Sequence, residues 1–363
     1  MDAYKVTKLP LDDKFKDALA ITAMNTCGNK VYIGLTGKDT VLVELDPATD
    51  KTRDTGFRFP PKGANGDAIH DKIHNSLVKG QNGPDGLFFM GHDANITWNQ
   101  WPFSPGEFTG GHLSAFNVKT GQTEDLGLVA GCNVPHALAI GDNFLFGYTI
   151  PDNHFFACDL LKKKLTDFGN IIGGFCNHNV VCVGQKAFGG YLAPYQTREE
   201  GPDLIKGVYL FVYDHANQTI RKTEQRIACG EADDGIGGGN RGLDSWLVTS
   251  DKKVYGGLAD GKFIELNSET VHVTEIGLAR PNGGPRLPCL AESKEKIIFG
   301  TAGWPQMGLF SFNPAAHEFR DYGIIAPEYK MCYFHGMAML SDGRIYLGET
   351  DSNRPYVYKL EPK

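Results

Sequence analysis

The segment MAMLSDGRIYLG (337–348) places two short apolar runs on either side of an Asp-Gly turn, a pattern typical of a β-hairpin. Its second run ends in glycine, and six similar runs occur elsewhere. The seven copies are KVYIG (30–34), LFFMG (87–91), FLFG (144–147), KAFGG (186–190), KVYGG (253–257), KIIFG (296–300) and RIYLG (344–348). A unit that recurs along the whole chain predicts a repeat architecture.

Each glycine-ending strand is followed by a third strand and then by a more polar fourth strand. The fourth strand closes on an acidic residue, one further residue and glycine. This triplet occurs at DTG (54–56), DLG (125–127), DFG (167–169), EIG (275–277) and DYG (321–323). Four antiparallel strands of which only the last is polar are typical of a propeller blade whose outer edge meets water. The sequence therefore predicts an all-β, seven-bladed β-propeller.

The seventh repeat ends at Lys363 after its third strand. The N-terminal run YKVTKL (4–9) precedes the first strand of repeat one and can supply the missing fourth strand. Such a pairing would close the ring and remove an exposed sheet edge. We therefore predict one domain that spans residues 1–363.

Composition excludes several classes of partner. The 363 residues carry a net charge of −7, and no basic face is apparent, which argues against nucleic acid. Apolar runs are too short to span a membrane.

The start, MDAYKVTKLP, lacks the apolar core of a signal peptide, although the chain could be a mature form. We expect a secreted monomer, with a cytoplasmic location left open. The eight scattered cysteines favour free buried thiols over disulfides.

The propeller geometry brings two sets of side chains to one mouth. The first strand of a blade begins at the face where the second strand ends. At or near the first-strand entries lie His74, His136, His178, Arg241, Arg286 and His335, and at the second-strand exits lie His92, Tyr148 and Tyr191. This convergence predicts a functional site at the mouth, although a single histidine at a strand end is usually structural.

Two long loops, 92–111 and 191–206, flank repeat three and should wall a cleft over Tyr148. Aromatic rings in such loops can stack on sugars, or they can form a small core within the loop. We expect substrate contacts from residues at the mouth and in these loops, together with a tryptophan from 302–307. The candidates are His74, Asn75, Trp101, Tyr191, Arg198, Arg241, Arg286, Trp304 and His335.

The imidazoles at the strand entries also suit a metal. Neutral His136, His178 and His335 could chelate a divalent ion at the central axis, or they could donate hydrogen bonds to a polyhydroxylated ligand. No HExxH motif is present, so both interpretations stay open. The sequence requires no cofactor.

The stretch from KIHNSLV (72–78) through His92 to His112 resembles the β-propeller polysaccharide lyases that cleave at uronic acids, such as ulvan lyases and L-rhamnose-α-1,4-D-glucuronate lyases. The resemblance implies that His92 and His112 are paired catalytic histidines and that Tyr148 is the catalytic tyrosine. It also implies a cationic partner for the uronate carboxylate. No arginine occurs between Arg58 and Arg198, so this partner would be one of Arg198, Arg241, Arg280 and Arg286.

We therefore expect an enzyme that removes the C5 proton of glucuronate and expels the oxygen at C4, most plausibly releasing rhamnose from rhamnosyl-glucuronate ends. His92 would be the base, Tyr148 would share the acid role and His112 would hold the substrate. Two alternatives stay open: an ulvan- or oligogalacturonate-type lyase with a histidine-bound divalent metal, and a non-catalytic propeller that binds a carbohydrate or a protein.

Overall fold

The structure is a computed structural model. It describes residues 1, 3–15, 17–38, 40–61, 70–81, 83–94, 110–131, 133–171, 179–192, 208–227, 242–350 and 355–363. Within these ranges the only helical element is a single 3-10 turn, Asp13–Phe15. No helix there has the length and apolarity to cross a membrane.

The described strands form seven antiparallel sheets arranged as blades, which confirms the predicted fold. The first three blades contain, in chain order, β2 (Ala20–Cys27), β3 (Lys30–Gly37), β4 (Leu42–Asp46) and β5 (Lys51–Asp54); β7 (Leu77–Lys79), β8 (Leu87–Gly91), β10 (His112–Asn117) and β11 (Gln122–Leu128); and β12 (Val134–Ile140), β13 (Phe144–Ile150), β14 (His154–Asp159) and β15 (Lys164–Asn170).

The next three blades follow the same order without interruption. They contain β16 (Val181–Val183), β17 (Lys186–Leu192), β18 (Val208–Asp214) and β19 (Thr219–Ile227); β20 (Leu243–Val248), β21 (Val254–Leu258), β22 (Lys262–Asn267) and β23 (His272–Leu278); and β24 (Cys289–Glu292), β25 (Ile298–Ala302), β26 (Gly308–Asn313) and β27 (Glu318–Ile324).

The seventh blade joins the two ends of the chain. It contains β28 (Tyr333–Met339), β29 (Ile345–Thr350), β30 (Tyr356–Pro362) and β1 (Tyr4–Pro10). Strand β1 pairs with β30 along its whole length, from Tyr4 opposite Pro362 to Pro10 opposite Tyr356. The N-terminal strand thus supplies the outer strand of the last blade, as the sequence predicts, and β30 has no open edge.

The first strands of the blades surround the axis. Strands β2, β7, β12, β16, β20, β24 and β28 each contact the next in this order, and β28 contacts β2. The buried apolar side chains form clusters that span neighbouring blades, such as the cluster of Phe88 and Phe116 with Ile73 and Phe57 between blades one and two. Burial of these faces between sheets is the main stabilisation of the ring.

The repeated acidic triplet forms a bulge at the outer edge of the blades. Asp125 accepts the backbone N–H of Gly127 at 2.9 Å, and Asp167 accepts that of Gly169 at 2.8 Å. These glycines have φ values of 112° and 70°, in the region that glycine adopts without strain. The triplet is therefore a structural element of the blade.

Two short strands extend the sheet of blade one toward blade two. Strand β6 (Asp71–Lys72) pairs with β3, and β9 (Asp93–Ala94) pairs with β6, so that Lys72 lies opposite Asp93. These strands stand outside the four-strand repeat. They fix the backbone immediately before His74 and immediately after His92.

Candidate functional site

The chain between β6 and β7 holds His74 at the inner end of blade two. The backbone N–H of Ile73 donates to Leu35 at 3.3 Å, and the carbonyl of Ile73 accepts the Thr22 hydroxyl at 2.7 Å. The carbonyl of Asn75 accepts the N–H of Leu138 at 3.1 Å. Bonds to blades one and three thus fix both neighbours of His74.

Three of the predicted histidines meet at this point. The ring of His74 stacks on that of His136 with centroids 3.8 Å apart, and it lies 5.1 Å from the ring of His335. His74 and His136 are buried. The sequence placed these residues at one register of three different blades, and the structure brings them into direct contact.

A buried carboxylate orients His136. The Nδ1 of His136 lies 2.9 Å from Oδ2 of Asp93, which is buried on β9. Burial lowers the pKa of His136, while the hydrogen bond to Asp93 opposes this effect. The ring is therefore neutral at neutral pH, and its Nδ1–H donates to the carboxylate.

His74, Asp93 and His136 together form a group that could hold a metal. One donor atom from each of the three side chains lies within 4.8 Å of the other two, and all three residues are buried. Two imidazoles and one carboxylate are donors that divalent first-row metals accept. The predicted metal set named His136, His178 and His335; the structure keeps His136, adds His74 and Asp93, and describes nothing of His178.

A second imidazole and carboxylate pair, of which the imidazole is buried and the carboxylate is partly buried, lies beside the first. The Nε2 of His92 is 2.8 Å from Oδ1 of Asp71 on β6, and its side chain is only 1% exposed. The ring of Phe59 stacks on His92 at 4.2 Å with an interplanar angle of 6°. The carboxylate and the stacked ring hold His92 in one orientation, with Nε2–H donated to Asp71.

Tyr148 lies next to the same group. Its ring is 5.7 Å from that of His136, and the residue is fully buried on β13. The predicted catalytic tyrosine is therefore adjacent to a predicted histidine, although to His136 and not to His112.

Arg286 is engaged by a buried aspartate. Its guanidinium donates two hydrogen bonds to Asp244, from Nε at 3.0 Å and from Nη2 at 2.8 Å, and both residues are buried. It also lies 4.9 Å from the ring of Tyr333. Because Asp244 already neutralises its charge, we do not retain the predicted contact between Arg286 and substrate. The other arginine candidate among the described residues, Arg280, likewise pairs with Asp321 at 2.9 Å.

Tyr333 joins Arg286 to the histidine cluster. Its ring is 4.8 Å from that of His335 and 5.5 Å from that of Trp304. The predicted contact residues Trp304 and His335 therefore belong to one continuous set of packed rings that reaches His74. Asn75 and His335 also line a cavity of about 190 Å³ in the central channel.

His112 has a structural explanation that the sequence prediction missed. Its Nδ1 lies 3.0 Å from Asp125, the acidic residue of the outer bulge. His154 makes the same contact with Asp167 one blade later, and both pairs are 13 residues apart. Both histidines are partly exposed. The backbone N–H of His92 donates to the carbonyl of His112, but the two rings bind different carboxylates. We therefore leave His112 out of the mechanism.

The hydroxyl of Tyr191 is engaged within its own blade. Its hydroxyl donates to the carbonyl of Thr223 on the outer strand β19 at 2.6 Å, and burial raises its pKa. This bond turns the side chain into blade four, so the geometry does not support the predicted substrate contact. Four further candidates, Trp101, Arg198, Arg241 and His178, lie outside the described residues.

Asp71 and Asp93 are the residues that the sequence reasoning missed. Neither belongs to the seven-fold pattern, because both lie on the extra strands β6 and β9. The available signal was their position: Asp93 directly follows His92, and Asp71 precedes His74 by three residues.

No family model and no curated protein matches this chain. Solved structures do match it over nearly its full length. An oligogalacturonate lyase in complex with manganese is 11% identical, with a TM-score of 0.60 and coverage of 99% of this chain and 96% of that one. The C-terminal WD40 domain of Sif2 is 12% identical, with a TM-score of 0.58 and 99% coverage of both chains. A chain of the mitotic checkpoint complex is 11% identical, with a TM-score of 0.57 and coverage of 99% and 91%. At these identities the likeness shows the propeller fold alone.

Proposed function

We propose that this protein is a carbon–oxygen lyase that cleaves acidic saccharides at 4-linked glucuronate by β-elimination. The observation that carries the proposal is the presence of two buried imidazoles that each bind a carboxylate, His92 with Asp71 and His136 with Asp93. The second imidazole lies beside Tyr148. Such orientation of an imidazole by a carboxylate is typical of general acid–base catalysis.

His92 is the proposed base. Since its Nε2–H is donated to Asp71, the lone pair resides on Nδ1, and this atom takes the proton from C5 of the uronate. The C5–H electron pair becomes the C4–C5 double bond as the C4–O bond breaks. Tyr148 then supplies a proton to the departing oxygen.

Elimination also requires stabilisation of the negative charge that develops at the uronate carboxyl group. Loss of one preorganised donor at such a position typically reduces the rate by about 10²- to 10³-fold. The cluster of His74, His136 and His335 is the group of imidazoles closest to Tyr148 among the described residues discussed above. We assign it to the carboxylate end of the substrate.

The substrate class that we favour is the rhamnosyl-glucuronate terminus, from which elimination releases rhamnose. An ulvan- or oligogalacturonate-type substrate is the alternative, and the fold shared with an oligogalacturonate lyase makes it worth including. A non-catalytic propeller suits the fold equally well, since function resides in sites and not in folds. What favours an enzyme is the buried imidazole of His92 with its carboxylate partner Asp71, which a binding surface does not require.

The test is incubation with rhamnosyl-glucuronate side chains, ulvan and oligogalacturonate, followed by ultraviolet absorbance and mass spectrometry of the products. A lyase yields an unsaturated uronate that is one water lighter than the hydrolysis product. We expect this product from at least one of the three substrates. Hydrolysis products, or no turnover of any uronate polymer, would exclude the proposal.

A further inference from the structure

We propose that a cavity between blades two and three binds a small uncharged aromatic molecule. The cavity has a volume of about 250 Å³, and its apolar walls come from the two facing sheets. The wall residues are Leu87, Phe89 and Leu126 of blade two and Ile140, Cys158 and Leu160 of blade three. No residue that lines this cavity belongs to the candidate functional site, so binding here does not depend on the proposed lyase activity.

One small residue in the third strand of blade three accounts for part of this space. In blade four the next-to-last residue of β18 is Tyr213, and its ring contacts that of Phe168 in blade three with centroids 5.2 Å apart. Blade three has Cys158 at the same position of β14. The corresponding residues of blades one, two, five and six are all larger than cysteine, namely Leu45, Phe116, Leu266 and Phe312. A thiol therefore stands where these blades have a ring or a branched side chain.

The opposite wall of the cavity is also smaller than its counterpart one blade later. The acidic triplet of blade two has Leu126 at its centre, where the triplet of blade three has Phe168. The interface between blades two and three thus lacks both members of the ring pair that fills the next interface. An engineered protein cavity of about 150 Å³ lined by leucine, isoleucine and phenylalanine binds benzene. A space of about 250 Å³ therefore accommodates a ligand of one or two rings.

The charged side chains around the cavity favour a free and uncharged ligand. Lys163 of blade three binds Glu124 of blade two, and both side chains are exposed, so this ion pair joins the two blades at the surface. Lys163, Glu124 and Asp142 all line the cavity. Two carboxylates against one ammonium disfavour an anionic ligand, and the apolar walls disfavour any charge. An entrance crossed by an ion pair also admits a free molecule more easily than a segment of polypeptide.

The test is calorimetric titration of the full chain with indole and with indole-3-acetate. Indole should bind at one saturable site per chain, and indole-3-acetate should bind at least about tenfold more weakly because of its carboxylate. Cys158→Phe and Leu126→Phe each restore a ring to the interface, and each should weaken indole binding by at least about tenfold. Leu278→Phe is the matched control, because it adds a ring at an exposed position of blade five, and it should bind indole like the wild type.

Absence of a saturable indole site in the wild type would overturn the proposal. So would unchanged indole affinity in both Cys158→Phe and Leu126→Phe, provided that circular dichroism shows a native fold. Tighter binding of the tripeptide Gly-Trp-Gly than of indole would contradict the assignment to a free molecule. Every titration is read without saccharide, so its failure is separable from failure of the lyase assignment. A protein that binds indole in this cavity and cleaves no uronate polymer would retain the site and lose the proposed function.

Discussion

Histidine and aspartate pair in two regions of this molecule. At the outer strands of blades two and three, His112 binds Asp125 and His154 binds Asp167, with partly exposed side chains. At the inner end of the same blades, His136 binds Asp93 in a fully buried position. The contact distances are similar, at 3.0, 2.9 and 2.9 Å.

The two regions differ in whether the pairs belong to the repeating pattern of the blades. The outer pairs recur at a fixed spacing of 13 residues, and in blade five the same spacing pairs Lys262 with Glu275. A nitrogen-bearing side chain that binds the acidic residue of the bulge therefore recurs in blades two, three and five. The inner pairs depend on Asp71 and Asp93, which lie on β6 and β9, the only strands outside the four-strand repeat in the described part of the chain. A departure from the repeat marks the candidate site better than the pairing itself does.

The largest expected effect concerns the inner region. Tyr148→Phe removes only the hydroxyl that we propose donates a proton, so the rate of elimination should fall by about 10²- to 10⁴-fold. Tyr213→Phe is the control, since its hydroxyl contacts His215 in blade four. Steady-state rates of unsaturated product formation provide the measurement. Equal activity of both variants would remove Tyr148 from the mechanism.

The second largest effect is expected on stability, from substitution of the buried pair of Arg286 and Asp244. Arg286→Met leaves the Asp244 carboxylate buried without its cation, which typically costs about 3–5 kcal/mol. Urea unfolding should show this loss, and the double variant with Asp244→Asn should recover part of it. A loss below about 1 kcal/mol would show that the pair is better solvated than its burial indicates.

A smaller loss of stability is expected from a substitution at Gly308 in blade six. A Cβ at Gly308 would clash with the guanidinium of Arg280, which is held by Asp321 and by the carbonyl of Ala302. Gly308→Ala should therefore destabilise the protein by about 1–3 kcal/mol. The same substitution combined with Arg280→Ala should cost less than the two single losses added together. Simple additivity in urea unfolding would contradict the proposed clash.

The smallest effect should come from the outer pairs. His112→Ala and His154→Ala each break a partly exposed contact between an imidazole and a carboxylate, for which about 0–1 kcal/mol is typical. The free energy of unfolding of each variant should lie within about 1 kcal/mol of the wild-type value. A much larger loss of activity in His112→Ala than in His154→Ala would restore the predicted role of His112 in substrate binding.

The fold followed from the sequence because each blade carries the same physical markers. A glycine-ending apolar strand and an acidic bulge recur, and Tyr4–Pro10 completes the last blade. The convergence of His74, His136 and His335 also followed, since it depends only on strand register. These features are local or repeated, so pattern reasoning reaches them.

The acidic partners of the histidines and of Arg286 could not be predicted from the sequence. Asp71 and Asp93 lie on two-residue strands that no periodicity reveals. The pair of Arg286 with Asp244 joins residues 42 positions apart, and nothing in either local sequence indicates it. The contact between His112 and Asp125 was predictable, because the acidic triplet lies 13 residues downstream of both His112 and His154 in the sequence.

The most direct test of the account compares one histidine from each region in the same assay. Release of unsaturated uronate is measured for the wild type, His92→Ala and His154→Ala on the best substrate of the panel. The account predicts less than a hundredth of wild-type activity for His92→Ala and wild-type activity for His154→Ala. More than a tenth of wild-type activity in a folded His92→Ala protein would contradict it.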